Sequence, residues 1–174
     1  MDEKETAAGY NEQAAVRETL VGNMALAKQD AQAALGLANG IDVEGYSAVA
    51  LGLVGDSAQA ARLAADLGKR FREDTIMQSQ YLPVIRAAAA LESGDAGKAV
   101  EALTEAAPYE LGQANLLPLC PVNLRGAAYL ALKQGSTAAV EFQKILDHPG
   151  FGREQCDGLA RAPGTGTRVR PGRR

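Results

Sequence analysis

Four apolar runs in this chain end on a glycine beside a polar residue, and each time a new apolar run begins at once. The steps are Gly22-Asn23, Gly55-Asp56, Gly94-Asp95 and Gly135-Ser136, separated by 33, 39 and 41 residues. A period in this range belongs to solenoids of helix pairs, whose units are too small to bury their own apolar faces and so lean on one another. The constraint is severe: any fold of this chain must end a helix and restart it four times at nearly constant intervals.

The residues between the steps are helix formers. The chain is 47% hydrophobic but only 5% aromatic, with no Trp, and the apolar content is mostly Ala and Leu. Ala loses no side-chain entropy in a helix, and no stretch alternates like a strand. The expected helices run Thr6–Leu20, Met24–Ala38, Val43–Val54 and Ser57–Phe71, the last capped by Asp56 or Ser57. A fifth runs from Thr75 to Ser93, with a kink or break near Leu82 because Pro83 lacks an N–H. Ala96–Ala106 follows, stopped by Pro108. A looser stretch, 109–117, leads to a last pair beginning at Leu124, whose second helix spans Ser136–Asp147. In Ser57–Phe71, Ala60, Leu63, Ala64, Leu67 and Phe71 share one face, and Gln59, Arg62, Asp66, Lys69 and Arg70 the other. The segment Cys120-Pro121-Val122 echoes Leu82-Pro83-Val84, so one helix design is expected twice. The expected fold is therefore an all-α, α-α superhelical solenoid of about four helix pairs over residues 1–151.

Residues 152–174 differ. They are rich in Gly, Pro and Arg and have no apolar period, so they read as a disordered tail. Back-translated with GC-rich codons and shifted by one base, they permit an apolar helix with its own glycine step. The tail is thus also readable as a frameshifted continuation, which the underlying DNA decides. The net charge is −3; the tail carries six Arg against Glu154 and Asp157, or +4, leaving −7 on the body. An acidic body does not suit nucleic acid, and the tail's arginines lack aromatic stacking partners. No apolar run is long enough for a membrane span, and the charged N-terminus lacks a signal core, so a soluble, cytoplasmic chain is expected.

Chemistry-bearing motifs are sparse. Cys120 and Cys156 make no CxxC, and the only histidine, His148, falls at a helix end where it suits the dipole. Gly164-Thr165-Gly166 lacks the strand, helix and Lys of a phosphate loop. Glu101 and Glu105 beside Lys98, and Asp66 between Arg62 and Arg70, read as solvated helix pairs. No spacing places two carboxylates in an apolar pocket. No catalytic, cofactor or metal residue is therefore assigned, and the chain is not expected to be an enzyme.

Gly126, Tyr129, Ala138 and Phe142 stand in the order and spacing of the tetratricopeptide motif. Small residues there let two helices cross closely, and the rings fill the space beside the crossing. Ala87, Ala99 and Leu103 repeat the pattern one unit earlier, and Ala60 one unit before that. A generic Ala-rich bundle is the competing reading; sequential pairs at this period favour the solenoid. The phrases LGKRFREDTIMQSQYLPVIRAAAAL, AAPYELG, RGAAYLAL and EFQKILDHPG make residues 24–151 resemble the C-terminal tetratricopeptide-like region of acidobacterial eukaryotic-type serine/threonine protein kinases. Similar regions follow winged-helix domains in some transcriptional regulators.

That resemblance implies an accessory sensing or protein-interaction module with a partner domain on its N-terminal side. No kinase motif is present in this chain, so kinase activity does not transfer to it. The alternative implied is a severed part of such a kinase or regulator without independent activity. Mapping the motif places Tyr81, Val84, Cys120, Asn123 and Leu130 towards a peptide groove, with Tyr81 and Asn123 as its hydrogen-bonding residues. Leu130, Phe142 and Ile145 are expected at a partly exposed apolar edge that promotes self-association.

Overall fold

The turns between paired helices explain the architecture best. In the computed structural model, which describes residues 3–111 and 119–148, each first helix of a pair ends in a left-handed residue: Gly22 (φ 85°), Gly55 (85°), Gly94 (81°) and Lys133 (60°). The N–H of that residue donates to the carbonyl three residues back, and the next N–H to the carbonyl five residues before it. The acceptors are Thr19 and Glu18, Gly52 and Leu51, Leu91 and Ala90, and Leu130 and Tyr129. This double closure satisfies carbonyls that the helix end leaves unpaired. The fourth turn corrects the sequence reading: Lys133, not Gly135, takes the left-handed conformation, and Gly135 opens the next helix. Positions 22, 55, 94 and 133 give spacings of 33, 39 and 39.

The described residues form eight α-helices and no strand. They are α1 (Glu3–Leu20), α2 (Met24–Leu37), α3 (Ile41–Leu53), α4 (Ser57–Arg70), α5 (Leu82–Glu92), α6 (Ala96–Thr104), α7 (Cys120–Ala131) and α8 (Gly135–Asp147). Asp56 and Asp95 cap α4 and α6 by accepting from the N–H groups of Gln59 (3.3 Å) and Lys98 (3.1 Å). Pro83 acts less abruptly than a break. A π-helical turn, Met77–Tyr81, runs straight into α5, and the Leu82 N–H donates to Met77 O. The wider turn accommodates a proline with no N–H. Pro83 and Pro121 both stand in the first turn of their α-helices, but α5 continues from the π-turn whereas α7 starts afresh after the left-handed Leu119 (φ 62°), so the two proline segments agree in part only. Residues 112–118, and the tail with its frameshift reading and Cys156, lie outside the described residues.

A common register runs through the pairs. Five residues after each left-handed turn stands a fully buried alanine: Ala27, Ala60, Ala99 and Ala138. Seven residues before it stands another buried small residue: Ala15, Ala48, Ala87 and Gly126. Gly126 shows why size matters, because a Cβ there would lie 2.6 Å from Cε1 of Phe142. Each odd-numbered helix packs on the even helix that follows it and on the next odd helix, and each even helix from α2 to α6 also meets the next odd one. Helix α3 is enclosed by α1, α2, α4 and α5, and it is buried continuously from Val43 to Gly52. That enclosure is why no polar stripe marks it. The face assigned to α4 holds: Ala60 and Leu67 are buried, and Leu63, Ala64 and Phe71 pack partly buried against the same core. Tyr129 is half-buried beside the α7–α8 crossing.

Candidate functional site

The seam along which odd helices stack carries the unexpected polar chemistry. Thirteen residues before the turns stand Asp42, Tyr81 and Cys120; ten before stand Glu12, Gly45, Val84 and Asn123. The two positions are three apart and share a helix face. On that face the Tyr81 ring fills the space that Gly45 leaves open, since a Cβ on Gly45 would meet Tyr81 Cδ1 and Cε1 at 2.5 Å. The Tyr81 hydroxyl donates to Asp42 Oδ1 at 2.9 Å. Tyr46 meets the ring edge-on, with centroids 6.2 Å apart and planes at 67°. Burial, followed by the Asp42 charge, holds the Tyr81 phenol well above its ordinary range.

Glu12 approaches the same cluster from α1. It is only 4% exposed, and its Oε2 makes no hydrogen bond. Burial first, and the nearby Asp42 charge second, push its carboxyl from 4.5 to about 7. Gln80 Oε1 is likewise buried without a partner. Two acids and a phenol thus share the α1–α3–α5 seam, contrary to the reading that no carboxylates meet in an apolar setting. Sequence could not pair them, because Glu12 and Asp42 belong to different helix pairs and each looks like an ordinary helix carboxylate.

A second polar cluster joins the third and fourth pairs. Arg125 of α7, buried, donates through Nη2 to Glu110 Oε2 (2.7 Å) and Glu141 Oε2 (2.6 Å), and through Nη1 to the Leu103 carbonyl (3.4 Å). Lys144 Nζ reaches Glu110 Oε1 at 3.3 Å and Glu141 Oε2 at 3.1 Å. Burial disfavours both charges, yet the Arg125–Glu141 pair overcomes it. Arg125 stands above its ordinary pKa and Glu141 below its own. One arginine therefore ties α6, the segment after the short 3-10 turn Ala107–Tyr109, α7 and α8 together. A smaller inter-helix pair joins Arg70 of α4 to Glu44 of α3, so Arg70 does more than support Asp66 along its own helix (2.7 Å).

These contacts correct the groove assignment. Tyr81 is 2% exposed and Val84 fully buried, and Cys120 and Asn123 are buried too. Their helix face is the seam between odd helices, so they hold units together instead of facing a peptide. Leu130 alone of that set is open, at 54% exposure. Leu132 of the α7–α8 turn and Val140 and Leu146 of α8 are exposed as well, while Phe142 and Ile145 are half-buried. Of the three residues expected at an open edge, Leu130 is exposed, whereas Phe142 is half-buried and Ile145 packs against Leu119 and Val122. His148 closes α8 with Nδ1 2.8 Å from the Lys144 carbonyl. Among the described residues no group of three or more His, Cys, Asp or Glu could hold a metal ion, and no helix is long and apolar enough to cross a membrane. Comparison with protein families, curated proteins and solved structures finds no match.

Proposed function

We propose that this chain is a protein-interaction module: a tetratricopeptide-like stack of four helix pairs that offers its α7–α8 end to a protein partner. It would serve a signalling protein of the kinase or winged-helix kind that its sequence resembles, with the reactive chemistry supplied elsewhere. The observation that carries this reading is that Leu130, Leu132, Val140 and Leu146 of the last pair are all exposed, as Val21, Met24, Leu26 and Leu37 are on the first, while α3 to α6 supply most of the buried core between them. Grouped exposed aliphatic side chains mark interaction surfaces. The serial packing of neighbouring pairs supports the superhelical arrangement, because the extensive helix contacts among the described residues run between adjacent pairs.

The test is site-specific photo-crosslinking in the native host. A benzophenone side chain at position 130 or 140 should trap one discrete partner, and the same probe at Arg62, exposed on α4, should not. Adding Leu146→Glu should abolish the adduct. Equal labelling at all three positions, or none at 130 and 140, refutes the assignment.

A further inference from the structure

The carboxyl of Glu12 sits, buried, where the first helix pair packs on the second. Its α1 packs on α2 and α3. Asp42 of α3 and Tyr81 of the π-turn, hydrogen-bonded to each other, lie near enough to interact with it electrostatically. The charge that acts on Glu12 there is Asp42, of the same sign. The α2 groups are engaged elsewhere: Lys28 pairs with Asp56 at 2.8 Å, and Asp30 is influenced by Glu18 and Arg17 of α1. Glu44 of α3 faces Arg70. A neutral Glu12 can remain in this seam. An ionised one places a second negative charge beside Asp42 with an oxygen that has no donor, a costly arrangement in a buried site.

The geometry points to Glu12 as an acid-closed latch: protonated, it lets α1–α2 stay bedded on α3, and ionised, it drives the first helix pair off the stack. The device acts near neutrality because burial and Asp42 raise the Glu12 carboxyl to about 7. The folded state then holds a proton that the unfolded chain releases near 4.5, so stability at this seam is full below 4.5 and falls as pH rises through 7. Only the contacts of the first pair are at stake, and the α7–α8 interaction end is untouched. The result would be a module whose N-terminal end opens and closes with pH while its C-terminal end stays built.

Two measurements on the full chain test this. The side-chain carboxyl of Glu12, followed by carbon-detected NMR in the unmodified protein, should titrate with a midpoint near 7; a midpoint near 4.5 overturns the latch. Amide exchange, corrected for its intrinsic pH dependence, should show protection of α1 and α2 falling by about 10- to 100-fold between pH 5 and 8, with α7 and α8 little changed. In Glu12→Gln that fall should vanish. Asp42→Asn keeps the acid but removes its neighbour's charge, so its Glu12 midpoint should move down. A loss shared by all helices, or one equal in Glu12→Gln and the unmodified chain, would contradict the proposal. An effect originating at His148 would appear at α8 instead, at the opposite end of the stack.

Discussion

Replacing Gly45 by alanine should be the most damaging one-carbon change in the molecule. The new Cβ would lie 2.5 Å from two ring carbons of Tyr81, about 1 Å inside ordinary contact. The ring cannot turn aside, because Tyr81 is buried and its hydroxyl is held by Asp42 at 2.9 Å. Overpacking a core costs about 1–3 kcal/mol, and disturbing a hydrogen bond to a charged group about 1.5–3 kcal/mol. Alanine returns about 1 kcal/mol of helix propensity, so the net loss should be about 1.5–5 kcal/mol. Two glycines calibrate the result. Gly9, inside α1, has nothing within 4 Å of its would-be Cβ, so Gly9→Ala should gain about 0.5–1 kcal/mol. At Gly126 the obstacle is the half-buried ring of Phe142, which can swing outward, and Gly126→Ala should fall between the two. Urea unfolding followed by circular dichroism gives the three values. If Gly45→Ala proves no less stable than Gly126→Ala, the seam is looser than described and the steric reasoning fails.

Arg125→Met should destabilise by about 3–5 kcal/mol, because it leaves Glu110 and Glu141 buried together with only the partly exposed Lys144 to neutralise them; a midpoint close to that of the unmodified chain in urea would argue against the network. The same cluster predicts acid sensitivity at α7–α8. With the Glu141 carboxyl held below 4.5 by Arg125, its stabilisation is present above 4.5 and is lost as pH falls through the lowered value, measurable as amide exchange of α8 between pH 5 and 3. Lys133→Gly should stabilise by about 0.5–1 kcal/mol, since Lys133 holds φ 60° without the freedom of glycine; a lower thermal midpoint would show that its side chain matters more than its backbone. Leu130→Glu with Val140→Glu should shift any concentration-dependent self-association towards monomer in sedimentation velocity, with helix content unchanged.

Much of this protein was legible before any coordinates. Helix identity follows from Ala and Leu content, and the stops follow from glycine beside a capping residue, as at Gly55-Asp56 and Gly94-Asp95. The small residues of the crossings, Gly126 and Ala138, could be read because steric closeness demands them wherever two paired helices meet. The register was less secure where the local signal misled. Gly135 looked like the fourth step, but Lys133 stands at the position set by the hydrogen bonds closing α7. The Pro83 signal announced a disturbance without telling a kink from a π-turn, which the satisfied carbonyl of Met77 decides.

The candidate sites were scarcely legible. The motif points to the helix face that holds Tyr81 and Asn123, yet that face is buried in the stack. Glu12 with Asp42, and Arg125 with Glu110 and Glu141, come from segments 15 to 30 residues apart, and nothing local distinguishes them from solvated charges. By itself the amino-acid order determined what each segment does within reach of its own hydrogen bonds: coil into a helix, stop, turn and restart at a set interval. Only the tertiary structure decided which faces became seams and which charges lost their water. Those outcomes depend on how one pair lies against the next, and burial is a property of neighbours that no single segment contains.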